Sequence, residues 1–304
     1  MKLSTLISYL NFYYDNELEF IFSNDVNVHT AKNQYQQELI AKYQNLLNKE
    51  SSKPLQKKAV SNNDYNTQNI IKIEKNDDNI KIYPSSSAMT NYALNEIIAR
   101  ATDLASQANS IPQLQQIVND FDGCSLKKMA TNTVFADGNN KAKIMVIGEA
   151  PGNNEDLQGI PFCGDSGKLL DEIFASINLT RKDNLYITNT IFWRPPGNRQ
   201  PTSEELAICR PFLERHIALF NPQLIILVGA TALNNILGND KKISDYRGKF
   251  CQFDFAPLNR KINSFTIFHP SYLLRQSSKK KVAWLDMLEL EKFIKSNIKI
   301  NESK

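Results

Sequence analysis

The apolar run Ile144-Met145-Val146-Ile147 stops abruptly at Gly148-Glu149-Ala150-Pro151-Gly152-Asn153-Asn154-Glu155-Asp156, and a helical pattern begins after Gly167. A strand that feeds a glycine-rich loop and then a helix is the unit from which α/β proteins build ligand sites, at the carboxyl ends of parallel strands. Gly148, Pro151 and Gly152 let the backbone turn sharply and approach a ligand closely. The loop has the wrong sign for a nucleoside triphosphate: it carries Glu149, Glu155 and Asp156 and lacks the lysine of a phosphate-binding loop. A neutral, hydrogen-bonding ligand such as a base suits it better.

The same alternation continues downstream. Strands are expected at residues 143–147, 185–191, 224–228 and 265–268, with helical patterns at 167–177, 203–220 and 231–237 between them. Thr202 with Glu205 three positions on is a capping box and starts the second of these helices. Four strands alternating with helices imply an α/β fold around a mainly parallel sheet covered on both faces. The globular pattern is expected from residue 92 to 304. Before it, residues 49–91 turn to Ser, Asn, Asp, Gln and Lys, too polar to offset their ordering entropy, and read as a flexible linker. Residues 1–48, with Leu6, Leu10, Tyr13, Tyr14, Leu39, Ile40 and Leu46, read as a helical arm and a candidate contact for an unknown protein.

Composition narrows the setting. The net charge of +4 over 304 residues permits nucleic acid without demanding it, but Lys279, Lys280 and Lys281 are consecutive. Four cysteines spread over this length form no disulfide framework, so reduced thiols in a cytoplasm are expected. The opening Met1-Lys2-Leu3-Ser4-Thr5-Leu6-Ile7 is soon interrupted by Asn11, Asp15, Asn16 and Glu17, unlike a secretory leader. No apolar stretch is long enough to span a membrane. A soluble, cytoplasmic monomer is the expectation.

Because parallel strands share a direction, their outgoing loops converge on one rim. The first delivers Gly148 to Gly152, with Gly159, Pro161 and Phe162 following. The second delivers Thr188-Asn189 and then Trp193-Arg194-Pro195-Pro196-Gly197-Asn198-Arg199. The third delivers Gly229, and the last His269-Pro270-Ser271-Tyr272-Leu273-Leu274-Arg275. Taken singly, each residue has a plainer reading: Phe162 as core, Asn189 as a strand end, Glu149 and Glu155 as solvated loop carboxylates, the lysines as a solvated face. Arg194 and Arg199 fit rigid-loop ion pairs as well as DNA contacts. His216, on the capped helix, reads as a partly exposed helical residue.

Taken together, Gly148-Glu149-Ala150-Pro151-Gly152, then Tyr186-Ile187-Thr188-Asn189 with Arg194-Pro195-Pro196, then His269-Pro270-Ser271-Tyr272-Leu273-Leu274-Arg275 resemble the type-4 uracil-DNA glycosylases over roughly residues 121–293. The resemblance implies a three-layer αβα sandwich that flips uracil out of DNA and hydrolyses its N-glycosidic bond. Glu149, Asn189 and His269 would be catalytic. Gly148, Gly152, Glu155, Phe162 and Asn189 would form the uracil pocket, with Phe162 stacked on the ring and the Asn189 carboxamide reading its edge. Leu273, Leu274 and Arg275 would approach the minor groove as an apolar wedge, and Lys279, Lys280 and Lys281 would meet phosphates. Two alternatives stay open: a glycosylase for another deaminated or mismatched base (hypoxanthine, xanthine, or thymine opposite guanine), and an inactive nucleic-acid-binding module.

The family also carries an iron–sulfur cluster on four cysteines. The corresponding positions here are Phe121, Cys124, Trp193 and Cys209. A cubane cluster needs thiolates, and Phe and Trp supply none. The expectation is no cofactor, with Cys124 and Cys209 as buried relics of the cluster site.

Overall fold

The computed structural model describes residues 71–76, 79–84 and 86–298. The helical arm read at residues 1–48 lies outside the described residues. Inside the stretch read as linker, β1 (Ile71–Asn76) and β2 (Asn79–Pro84) pair as an antiparallel hairpin, with Ile73 opposite Ile82. Part of the stretch read as linker is therefore a β-hairpin. A separate compact unit takes in the chain from Ser86 onward, slightly ahead of the boundary expected at Tyr92.

That unit opens with α1 (Ser86–Gln107) and α2 (Ile111–Asp120), the latter capped by Ser110. Then follow β3 (Asp137–Gly138), β4 (Ile144–Gly148), α3 (Asn153–Gln158), α4 (Asp165–Ala175), β5 (Leu185–Asn189), α5 (Ser203–Phe220) and β6 (Leu224–Val228). The chain finishes through α6 (Ala230–Leu237), β7 (Phe250–Phe255), β8 (Arg260–Ile267), α7 (Pro270–Arg275) and α8 (Lys280–Asn297). Thr202 and Glu205 cap α5 reciprocally, each side chain accepting from the other residue's backbone N–H, at 3.2 and 2.8 Å.

The sheet has six strands in the order β3-β5-β4-β6-β8-β7. The four expected strands are its parallel centre, in register from Ile144 opposite Leu185 on one side to Leu224 opposite Asn263 on the other. The four-strand expectation is corrected at both edges, where β3 and β7 run antiparallel to β5 and β8. Neither announces itself: β3 is only two residues long, and β7 is a half-exposed alternation rather than an apolar run.

Every residue of β4, β5 and β6 is buried, as their continuous apolar sequences require once helices cover both faces. Alternate residues divide between two cores. Ile144, Val146, Ile187 and Ile226 pack with Leu170 and Phe174 of α4 and Met287 and Leu290 of α8. Met145, Ile147, Ile225 and Leu227 pack with Leu213 and Ile217 of α5 and Leu233 of α6. A third cluster joins Ala101 and Ala105 of α1 and Leu114 of α2 to Cys209 and Phe212 of α5. His216 is corrected: it is buried rather than partly exposed, 2.9 Å from the Tyr186 hydroxyl and stacked on Phe135. Among the described residues no helix is long and apolar enough to cross a membrane. The chain leaves β4 toward β5 and then crosses back to β6, so the carboxyl end of β4 is the topological switch point, where open sheets bind ligands.

Candidate functional site

Gly148 ends β4 directly opposite Asn189, the last residue of β5. Asn189 is 1% exposed, and its Oδ1 has no hydrogen-bond partner. Buried polar atoms are nearly always satisfied, so a buried carboxamide oxygen with no protein partner is free to accept from a ligand. The Phe162 ring lies over the same spot: a Cβ on Gly148 would come within 2.5 Å of both Asn189 Oδ1 and the ring's Cε2. Glycine is thus what lets backbone, carboxamide and ring meet.

Glu155 is engaged with its own loop. Its two carboxylate oxygens accept from the Gly152 and Gly164 N–H groups at 3.1 and 2.9 Å, closing the loop on itself. Asp156, buried, likewise accepts from Thr131 and Asn132. The backbone carbonyl of Glu149 accepts from the Thr190 hydroxyl, and its side-chain Oε2 accepts from the hydroxyl of Thr231 in the first turn of α6. Thr231 was not singled out from the sequence. The only signal available was its position two residues after Gly229 at the same rim.

His269 caps α7, and its ring lies 5.8 Å from that of Phe162. Its Nδ1 accepts from the Ser271 N–H at 3.2 Å and lies 2.8 Å from the Ser271 hydroxyl. A backbone N–H can only donate, so Nδ1 presents its lone pair and the proton of the neutral ring sits on Nε2. Burial, reinforced by nearby Arg275 and only partly opposed by Glu155, depresses its pKa to about 4. The group is therefore a neutral Nε2–H donor at ordinary pH.

The residues expected at DNA divide. The expected Leu273-Leu274 wedge is corrected to one residue: Leu273 is 1% exposed and Leu274 49%. They stand on the short helix α7, and successive helical residues face different ways. Arg275, Lys279 and Lys280 are exposed, and Lys281 is half-buried at the start of α8. Arg199 makes a two-pronged pair with Glu205, at 2.8 and 2.6 Å. Arg194 donates to Asn153 and Asn198, tying the Arg-Pro-Pro loop to the start of α3.

At the cluster position, Phe121, Cys124, Trp193 and Cys209 are all buried. Phe121 stacks near Trp193 at 6.5 Å and meets Phe212 edge-on at 4.9 Å, while Trp193 Nε1 donates to Thr133 at 3.1 Å. Hydrogen bonding between the thiols pulls the Cys124 pKa down and pushes that of Cys209 up. Among the described residues no group of three or more His, Cys, Asp or Glu could hold a metal ion. Two thiols beside two space-filling rings do not fit a cluster that needs four thiolates.

A family model for the uracil DNA glycosylase superfamily matches residues 135–289. The type-4 uracil-DNA glycosylase of Archaeoglobus fulgidus is 41% identical over 155 residues, covering 50% of this chain and 76% of that protein. The type-4 uracil-DNA glycosylase of Thermotoga maritima is 37% identical over 189 residues, covering 60% of this chain and 96% of that protein. The type-4 enzyme of Sulfurisphaera tokodaii is 34% identical over 178 residues, covering 57% and 80%. With the rim geometry and these matches agreeing, the chain belongs to the uracil-DNA glycosylase superfamily, among its type-4 members.

Proposed function

We propose that this chain is a monofunctional uracil-DNA glycosylase, which draws uracil out of DNA and hydrolyses the bond between N1 of the base and C1′ of the sugar to start base-excision repair. The observation that carries the reading is the partnerless Asn189 Oδ1 beneath the Phe162 ring. Leaving such an atom buried and unpaired costs about 1–3 kcal/mol, which a ligand donor recovers. The N3–H of uracil is that donor, and its O4 accepts from Nδ2 of the same carboxamide. Cytosine offers the reverse pattern on this edge and leaves both groups facing their own kind.

As the glycosidic bond breaks, its electron pair goes to N1 and spreads onto O2. A neutral Nε2–H of His269 at O2 meets that charge with a fixed dipole, so it gains strength as the bond lengthens. Water attacks C1′ from the side of the Gly148–Gly152 backbone, held by the Glu149 carboxylate, which Thr231 orients; its proton leaves through that carboxylate, and the departing uracil anion takes one up from solvent. Glu155 supports the loop from behind. Leu274, Arg275, Lys279, Lys280 and Lys281 are the candidate DNA-facing residues. The chemistry proceeds without an iron–sulfur cluster, and four free cysteines suit a reducing cytoplasm.

The direct test is incubation with single- and double-stranded oligonucleotides carrying one uracil, followed by alkaline cleavage of abasic sites. Scission at uracil, and none at cytosine or thymine in the same context, is the expected result. DNA that is bound but never cleaved would leave only a binding module.

A further inference from the structure

Phe162 holds a left-handed backbone, with φ of 52°, which a residue with a Cβ adopts only when its surroundings enforce it. The carbonyls of this turn are held by Arg181, between α4 and β5. Its Nη1 donates to the Pro161 carbonyl at 2.6 Å and its Nη2 to the Phe162 carbonyl. The guanidinium is itself aimed from two sides: Nε donates to Asp171 of α4 at 2.8 Å, and Nη1 reaches Asp137 of edge strand β3 at 3.2 Å. The side chain is 16% exposed, so these bonds are made largely out of water. The Phe162 carbonyl also presses onto Gly167, where a Cβ would overlap it, so the loop can sit against α4 only with glycine there.

We propose that Arg181 is a positioning residue for base recognition: by holding the Pro161 and Phe162 carbonyls it keeps the left-handed turn that lays the Phe162 ring over Gly148 and Asn189. Without it the turn relaxes toward a commoner backbone conformation, and the ring leaves the plane on which a base would stack. A planar fork suits two adjacent carbonyls and two carboxylates at once, whereas a lysine ammonium is a point donor. The inference rests on the reading of Phe162 as the stacking face.

Four proteins separate the possibilities: wild type, Phe162→Ala, Arg181→Ala and Arg181→Lys. Each is measured for single-turnover uracil excision, for inhibition by free uracil, and for affinity to uracil-free duplex. Free uracil reports the pocket alone, and uracil-free duplex reports the rest of the surface. Phe162→Ala should weaken uracil inhibition about tenfold or more, the scale of one lost base–aromatic stack. Arg181→Ala should weaken it about tenfold through the lost charge-assisted bonds, with affinity for uracil-free duplex unchanged. Added guanidinium should restore part of the rate, and Arg181→Lys should fall between. If Arg181→Ala fails to fold, Arg181→Lys carries the test. Unchanged uracil inhibition in the folded arginine variants, with Phe162→Ala impaired, overturns the positioning role. So does an equal loss of uracil and duplex binding without guanidinium rescue, which marks a merely structural arginine. Unchanged inhibition in Phe162→Ala instead brings down the stacking reading, and the inference with it.

Discussion

Gly148 and Asn189 face one another across β4 and β5, and the gap between them is smaller than a methyl group: a Cβ on Gly148 would stand 2.5 Å from Asn189 Oδ1. This close approach therefore depends on an atom that is not there. Gly148→Ala should displace the carboxamide or the Phe162 ring and lower excision by about a hundredfold, the scale expected when a recognition group moves by an ångström. Overpacking should cost about 1–3 kcal/mol of stability. Single-turnover excision beside a thermal melt separates the two effects, and a variant that melts lower yet excises normally would contradict the geometry.

Leu273 and Leu274 should behave oppositely. Leu273→Ala removes a buried side chain and should destabilise the fold by about 2–5 kcal/mol. Leu274→Ala should leave stability nearly untouched and slow excision from duplex more than from single strands, because only duplex charges a few kcal/mol for unstacking. Replacing Lys279, Lys280 and Lys281 with Ala should weaken both substrates and flatten the salt dependence of binding. Equal losses on the two substrates for Leu274→Ala would leave no wedge.

Acid should act through the two enclosed histidines. Burial lowers His216 to about 3 and His269 to about 4, against about 6.5 unfolded. Between pH 6.5 and those values the unfolded chain takes up protons that the folded one refuses, so stability declines as pH falls through that window and is fully present above it. His269 alone accounts for a loss on the order of 3 kcal/mol. The rate should show no His269 inflection until pH approaches 4. An inflection near 6.5 that disappears in His269→Ala would show a histidine protonated at work.

The aromatic filling of the cluster position has its own signature. The purified protein should be colourless, hold less than stoichiometric iron and sulfide, and keep its activity through treatment with an iron chelator. Trp193→Ala should open a cavity and cost about 3–5 kcal/mol. A brown protein with stoichiometric iron and sulfide would show that thiolates are recruited from elsewhere.

The parallel centre of the sheet was legible because its strands are buried on both faces, so Ile144–Ile147 and Leu224–Val228 are unbroken apolar words. The rim was legible because glycine, proline and a strand-end asparagine mark the places where the chain must turn or approach closely. What escaped depends on rotation or on distance along the chain. Leu273 and Leu274 look alike until a helix turns them apart. Asp137–Gly138 is too short for any periodicity. The hairpin was hidden by polar residues around its isoleucines. Arg181 looks like any surface arginine, and its value lies in carbonyls nineteen and twenty residues away.

Asn189 and His269 carry the central claim, which is that one reads the base and the other receives the charge it leaves with. The most direct measurement is single-turnover excision of uracil by Asn189→Ala and His269→Ala, with binding to uracil-free duplex measured on the same preparations. Each variant should bind duplex like the wild type and excise about a hundredfold more slowly or worse, as for loss of a donor that stabilises a developing anion. Near-normal excision by both variants, with duplex binding intact, would contradict the mechanism.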